Sequence, residues 1–304
     1  MYKVVVLMST YNGEKYVKQQ IDSILNQEGV EIELHIRDDG STDQTVDILN
    51  EYSTMYKNIF YYQGKNLRPC KSFMELIRKD YEAEFYALAD QDDVWDSDKL
   101  KVAIGKLQKI EKNVPAMYHS NLRIVDSELN FCRNSHSKPM IAITCYEPLV
   151  ENLATGCTIV YNKDLHKMLR QYVVSDFSMH DTWIYMIASI FGEVIYDFVP
   201  HISYRQHENN VVGTYKKGKS FSFYWKKILR LWNRELQPRY DNAKLFYHVF
   251  KDKLPKQYKI KLQKILVYKK SLKNKYDLLC DKEIRANTTE ANIRLRMMIL
   301  MGLL

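Results

Sequence analysis

The chain has no cysteine pattern that could carry a fold or a metal. Its five cysteines, at 70, 132, 145, 157 and 280, include no CxxC pair and leave an odd number, which fits neither a disulfide framework nor a zinc site and points to reduced thiols. Long apolar runs are missing too. The longest candidate, Thr182 to Gly192, holds 11 uncharged residues before Glu193, short of the roughly 18 a membrane span needs, so no bilayer crossing is expected. The N-terminus passes from Met1-Tyr2-Lys3 directly into Val4 to Met8. That run is too short for a signal-peptide core and lacks a small-residue cleavage site, so the expected location is the cytosol. Neither G-x-x-x-x-G-K-[ST] nor G-x-G-x-x-G follows the first apolar run, which disfavours P-loop enzymes and Rossmann dehydrogenases. There is no internal repeat.

What remains is an ordinary globular composition. The 304 residues are 46% hydrophobic and 27% charged, enough for one large or two modest domains and too apolar for wholesale disorder. The net charge of +8 conceals an asymmetry. Residues 214–304 carry 23 Lys/Arg against 7 Asp/Glu, whereas residues 1–213 carry 22 against 30. An acidic body that bears a site, followed by a basic tail that meets a membrane surface or nucleic acid, is the expected arrangement.

The first half alternates two periodicities. Val4 to Met8 suits a strand buried on both faces, and Val17, Ile21, Ile24 and Leu25 then recur at helical spacing. Strands are expected at Ile32–Ile36, Ile59–Tyr62 and Phe85–Ala89, with helices over Thr42–Tyr56 and around Phe73–Ile77 between them. Ser97 reads as an N-cap for a helix marked by Leu100, Ala103, Leu107 and Ile110, and Ala116–Tyr118 as another strand. Further strands at Thr158–Tyr161 and Val194–Phe198 flank helices near Lys163–Tyr172 and Asp181–Phe191. This is the signature of an α/β chain with a mostly parallel central sheet and helices on both faces.

In such a sheet ligands bind beyond the carboxyl ends of the strands. The residues there are Ser9-Thr10-Tyr11-Asn12-Gly13, Arg37-Asp38-Asp39-Gly40-Ser41 and Asp90-Gln91-Asp92-Asp93. Five carboxylates converging without an equal number of fixed cations call for a counter-ion, and a hard divalent cation shared with substrate phosphates is the economical one. A lone DxD is more often a solvated turn or a helix start, but its place directly after a buried strand reverses those odds.

Together these loops resemble family 2 glycosyltransferases, inverting enzymes of the GT-A fold. The carrying segments are Met8–Gly13 with Ser23–Gln27, Arg37–Asp43 and Ala89–Trp95, in that order and spacing. Met179-His180-Asp181-Thr182-Trp183 and Tyr204–Asn210 are similar to the bacterial branch that includes rhamnosyltransferases of capsule and cell-wall polysaccharide assembly. The resemblance implies that Thr10 and Tyr11 line the base pocket and that Asp39, with Asp38 beside it, accepts the base N3–H. It implies Asp90 near the ribose or metal, and Asp92 with His207 on a Mg²⁺ or Mn²⁺ ion at the diphosphate. Lys71 would reach the nucleotide or stand as a surface cation. Asp181 matches the general base, its alternative being a simple helix cap, and Gly156, His180 and Trp183 would lie on the acceptor side. Tyr118–Asn121 stands where this branch often has an aspartate, and Asn66–Lys71 replaces a glycine-rich stretch.

The implied organisation is a GT-A domain over 1–213, with a nucleotide-sugar half (1–97) and an acceptor-side half (98–213), then a basic amphipathic helical extension (214–304). Within that extension Phe221, Tyr224, Trp225, Ile228, Leu229 and Trp232 form an aromatic-rich helical stripe opposite Lys226, Lys227, Arg230 and Arg234. It would either rest peripherally on the cytoplasmic face of the membrane or pack on the catalytic domain or a second copy of the chain. The expected partners are a dTDP- or UDP-linked sugar donor and a saccharide acceptor carried on lipid. Two other classes compete: a sugar-nucleotide pyrophosphorylase-like enzyme, which needs a glycine-rich basic loop that Ser9–Gly13 lacks, and a non-enzymatic membrane or nucleic-acid binder. The four acidic or histidine-containing motifs argue against that last class, because an anion-binding module gains nothing from them, and no nucleic-acid partner is expected.

Overall fold

The computed structural model describes residues 1–138, 146–172, 174, 177–207 and 238–304; the helix expected over 221–234 lies outside them. The chain divides into two compact units, Met1–Pro139 with Ala154–Glu208, and Met140–Leu153 with Asn209–Leu304.

In the first unit, β1 (Tyr2–Thr10) forms where five successive residues, Val4 to Met8, are fully buried. The run carries five apolar side chains and no polar one, which a strand covered on both faces accommodates. β2 (Val30–Asp38), β3 (Ile59–Gln63) and β4 (Phe85–Ala89) align with it in parallel, and α1 (Val17–Leu25), α2 (Thr45–Met55) and α3 (Arg68–Arg78) connect them. Val4, Val6 and Met8 pack with Val17, Ile21 and Ile24 of α1. The alternate residues Val5 and Leu7 therefore point to the opposite face, where α3 lies. Burying each such side chain is worth roughly 1.5–3 kcal/mol, so a charge at Val6 would undo the layer.

The chain continues through β5 (Val94–Trp95), α4 (Lys99–Leu107), β6 (Ala116–Ser120), β7 (Arg123–Val125), β8 (Phe131–Asn134), β9 (Val160–Asn162), α5 (Lys163–Gln171), α6 (His180–Phe191), β10 (Glu193–Asp197) and β11 (Ile202–Arg205). The main sheet runs β10-β6-β9-β4-β1-β2-β3, with β9 antiparallel to both neighbours. A second sheet, β5-β11-β7-β8, was not anticipated. Two local expectations shift. Gly156–Thr158 is a 3-10 turn, so the strand begins at Val160. Asp98 holds the N-cap position of α4, while Ser97 Oγ donates to Glu28 Oε1 at 2.9 Å.

The second unit contains the 3-10 turn Glu147–Leu149 and the helices Pro238–Phe250, Lys256–Val267, Leu272–Leu279 and Thr289–Met301. Ser271 and Thr288 cap the last two, accepting the Asn274 and Ala291 N–H groups at 3.1 Å. Gly302, at φ 74°, ends the final helix in the left-handed conformation that a side chain disfavours, with Leu303 N–H returning to Met298 O at 2.8 Å. Phe246, Phe250, Leu262, Ile265, Leu278 and Ile299 form its core. Segment 146–153, expected with the acceptor-side half, belongs to this unit. No described helix is long and apolar enough to cross a membrane.

Candidate active site

Parallel register brings the loops together. Thr10 pairs with Asp38 at the ends of β1 and β2, and Met8 with Ala89 of β4, so the three polar segments leave the same edge. Asp38 is fully buried and fixes that edge. Its oxygens accept Thr10 Oγ1 at 2.9 Å, Gly40 N–H at 3.0 Å, and both the N–H (2.9 Å) and Oγ (2.5 Å) of Ser41. Asp38 thus organises two loops and has little bonding capacity left for a ligand, unlike its expected role beside the base. Asp39 is also buried, ion-paired with the Arg37 guanidinium and accepting Leu67 N–H at 3.0 Å. Arg37 is held by Lys65 O at 2.9 Å and Ser72 Oγ at 3.2 Å.

Tyr11 is 46% exposed while its backbone is clamped. Its N–H donates to Gln91 Oε1 at 2.8 Å, and its carbonyl accepts Gln91 Nε2 at 3.1 Å. The middle residue of Asp90-Gln91-Asp92 therefore splints the first loop to the third. Gly13 leaves room for this splint, because a Cβ there would stand 2.4 Å from Gln91 Oε1 and displace the amide.

Asp92 Oδ2 meets His207 Nε2 at 2.7 Å, across 115 residues. The small sheet makes this contact. β5 follows Asp93 immediately, β11 ends two residues before His207, and their antiparallel pairing (Val94 with Ser203, Trp95 with Ile202) runs the two flanks together. Arg205 supports the junction, donating from Nε to Asp92 O at 2.9 Å while its guanidinium lies 4.4 Å from the centre of the Tyr16 ring. That ring also packs on His207, with centroids 5.1 Å apart.

Carboxylate charge is concentrated here. The half-buried Asp90 is pushed up to about 7 by burial and then by the Asp92 and Asp181 carboxylates. Asp93, wholly buried, is raised well above the usual range by burial and then by the Asp92 and Asp90 carboxylates, with Oδ1 accepting Arg205 N–H at 3.1 Å. Beneath them lies Lys99, fully buried in an apolar helix. Its Nζ donates to Cys157 O at 2.7 Å and stands 3.2 Å from the centre of the Trp95 ring. Burial pushes it down to about 7 although the aspartates oppose the shift.

Two groups among the described residues have metal-compatible spacing, Asp90–Asp93–Cys157 and Asp96–Asp98–His201. In the second, Arg123 already binds Asp96 through two bonds of 2.8 and 2.9 Å. The first can hold a metal and includes neither Asp92 nor His207, which meet each other beside it.

On the facing side, α6 begins with His180 and Asp181. His180 is 3% exposed, stacks on Phe73 at 4.1 Å, has no hydrogen-bond partner on either ring nitrogen, and is held neutral because burial lowers it to about 3. Gly156 lies against it: a Cβ there would be 2.9 Å from His180 Nε2 and 3.8 Å from Asp181 Cβ. Asp181 Oδ1 accepts its neighbour Thr182 N–H at 2.6 Å, and its charge is felt at both Asp90 and Cys70. Gly156, His180 and Asp181 thus lie together, with Asp90 within electrostatic reach of Asp181. Trp183 does not join them. It is fully buried, its indole N–H bonded to Tyr172 O at 3.1 Å and its ring edge-on to Phe177, which is a packing position. Lys71 lies exposed near the start of α3.

A fold of this topology with an Asp-x-Asp loop at the strand ends defines a nucleotide-sugar glycosyltransferase of the GT-A class. Residues 5–169 match the model of Glycosyl transferase family 2. The dTDP-rhamnosyl transferase RfbG of Shigella flexneri is 33% identical over 229 residues, spanning 68% of this chain and 73% of RfbG. The chain belongs to glycosyl transferase family 2 and resembles its rhamnosyltransferase branch. Among solved structures, Staphylococcus aureus TarS 1–349 in complex with UDP-GlcNAc superposes with a TM-score of 0.59 at 19% identity, covering 99% of this chain and 82% of that one. The mannosyltransferase PcManGT of Pyrobaculum calidifontis, in complex with GDP-Man and Mn²⁺, gives 0.52 at 16% identity, over 99% and 80%. Family membership sets aside the pyrophosphorylase-like and non-enzymatic alternatives.

Proposed function

We propose that the chain transfers a sugar, with inversion, from dTDP-rhamnose or a UDP-sugar to a hydroxyl of a growing cell-surface saccharide carried on lipid. The observation that carries this reading is the 2.7 Å approach of Asp92 to His207 beside Asp90, with Asp181 within electrostatic reach. The names of RfbG, TarS and PcManGT support a nucleotide-sugar donor.

The donor types fit a hard or borderline divalent ion, because the Asp92 carboxylate and the His207 imidazole meet at 2.7 Å while Asp90, in the same loop, has no full counter-charge. Asp92 and His207 would hold Mg²⁺ or Mn²⁺, with Asp90 on the metal or the ribose. Bound there, the ion would neutralise the charge that develops on the leaving diphosphate. The half-exposed Tyr11 ring offers a flat face to uracil or thymine, and Asp39 retains lone pairs for the base N3–H beyond its bonds to Arg37 and Leu67. Lys71 is close in sequence to Leu67 and adds positive charge near the nucleotide.

Asp181 takes the proton of the acceptor hydroxyl as that oxygen bonds to the anomeric carbon and the carbon–oxygen bond to the nucleoside diphosphate breaks. Gly156 and the neutral His180 shape the acceptor side. The GT-A domain is assigned to 1–213 and the extension to 214–304, with the extension attaching peripherally to the cytoplasmic membrane face where a lipid-linked acceptor would share its plane. The test is a donor panel of dTDP-rhamnose, UDP-glucose, UDP-galactose and UDP-N-acetylglucosamine with and without EDTA, the product anomer read by NMR. Full transfer in EDTA, or retention of configuration, refutes the reading.

A further inference from the structure

The aromatic ring that touches both Arg205 and His207 belongs to none of the sequence motifs. Tyr16 is half-buried and stands directly before α1. Its N–H donates to Gly13 O at 3.0 Å, as does that of Val17, so its backbone is fixed to the end of the first loop. The Arg205 guanidinium lies 4.4 Å from the ring centre, and the His207 imidazole packs on the ring with centroids 5.1 Å apart and planes tilted by 32°. Arg205 is not free to meet a ligand. It is 2% exposed, and each guanidinium nitrogen is engaged within the protein, Nε on Asp92 O, Nη1 on Ser127 O and Nη2 on Gln19 Oε1. Gln19 lies one helical turn beyond Tyr16, so the planar fork ties the Asp92 backbone to the helix that Tyr16 begins while stacking on its ring.

A bound ion would change how His207 is held. Without one, His207 Nε2 and Asp92 Oδ2 hold each other at 2.7 Å. A nitrogen that ligates a metal carries no hydrogen, so that bond is given up on binding. Two ligands at right angles on bonds of about 2.1 Å stand roughly 3 Å apart, close to the spacing already present. The imidazole therefore has to stay nearly in place after losing the bond that placed it there. Ring packing has no proton to lose and persists through the change. We propose that Tyr16 is a positioning residue, its ring, stacked with Arg205, keeping the His207 imidazole at ligating distance from Asp92. This rests on the metal-holding roles proposed above for Asp92 and His207.

The test is Mn²⁺ binding by the full chain, alone and with UDP, the free ion counted by electron paramagnetic resonance in the wild type, Tyr16→Leu, Tyr16→Phe and His207→Ala. Tyr16→Leu removes the ring from a half-buried position and should weaken Mn²⁺ about three- to tenfold, with far-UV circular dichroism and affinity for uridine or thymidine unchanged. Tyr16→Phe keeps the ring and should bind as the wild type does. In transfer assays Tyr16→Leu should need more Mn²⁺ for half-maximal rate, with turnover near that of the wild type once Mn²⁺ is saturating. Equal Mn²⁺ affinity in Tyr16→Leu and the wild type overturns the positioning role and leaves the roles of Asp92 and His207 standing. A Tyr16→Phe as weak as Tyr16→Leu traces the effect to the hydroxyl and overturns it as well, as does a matching loss of nucleoside affinity, which would mark a general disturbance of the first loop. Absence of Mn²⁺ binding by the wild type, or a His207→Ala that binds as tightly, overturns the metal-holding reading and this one together. Should Tyr16→Leu lose its fold, Tyr16→Met is read against the same outcomes.

Discussion

Replacing Gln91 by leucine isolates what the middle residue of the Asp-x-Asp loop contributes. The side chain keeps its bulk against Gly13 but loses both bonds to the Tyr11 backbone, at 2.8 and 3.1 Å. A hydrogen bond of this kind contributes about 0.5–1.5 kcal/mol net, and partial exposure places the pair near 1–2 kcal/mol together. If the base stacks on the Tyr11 ring, that energy is the cost of ordering the loop on binding, so nucleoside affinity falls by roughly 5- to 30-fold. Calorimetric titration with uridine or thymidine, and with UDP or dTDP with and without Mn²⁺, separates this effect from the metal's. Gln91→Leu should weaken nucleoside and nucleotide by the same factor whether or not metal is present, with turnover at saturating donor nearly unchanged. Unaltered nucleoside affinity in the variant would refute the reasoning, and a loss confined to the diphosphate with metal would reassign Gln91 to the ion.

Asp92→Ala should reduce turnover by orders of magnitude, since several kcal/mol of electrostatic stabilisation of the leaving diphosphate disappear with the ion; transfer assays across an EDTA titration check it, and wild-type activity without divalent metal contradicts it. Asp181→Asn keeps the shape and the bond from Thr182 N–H but removes the base, so transfer falls by roughly 10² to 10⁴ while donor binding, read by calorimetry, survives. In the second unit, Asp281 is drawn down from 3.8 to about 2 by its bonds to Lys261 and Lys264, against the opposing effect of burial. A depressed carboxylate stabilises above its unfolded value and loses that contribution as pH falls toward its folded one, so about 2 kcal/mol vanishes between pH 4 and 2. Helical circular dichroism under urea should show that loss in the wild type and a flatter dependence in Asp281→Asn.

Much of this site is legible in the chain because buried parallel strands announce themselves as apolar runs, and the residues after a run must be loops. That logic locates Thr10, Asp39 and Asp90 without coordinates. It fails for β5 and β11, since strands of two and four residues carry too little periodicity, and with it fails the pairing that delivers His207 to Asp92. Arg37 and Lys99 are hidden for a different reason. A lysine at the start of a helix reads as a solvated cation, and only the tertiary arrangement shows Lys99 enclosed by Trp95 and the Cys157 carbonyl. Trp183 fails in the opposite direction: its place beside Asp181 suggests the site, but a helix turns it about 100° per residue away, into Phe177.

The bond between residues 92 and 207 sets an order of assembly. The family match ends at residue 169, and a chain released or still tethered at that length has the sheet edge, the Tyr11 clamp and all of Asp90–Asp93, yet neither Asp181 nor His207. Closing a loop of 115 residues is also among the slower steps of folding, because its entropy is lost before the contact is gained. The proposed donor half thus precedes, in chain order, the residues that would fasten the diphosphate and activate the acceptor. If Tyr11 and Asp39 take the base as proposed, a chain of that length would carry its nucleoside contacts without Asp181 and His207, the residues proposed to activate the acceptor and fasten the diphosphate.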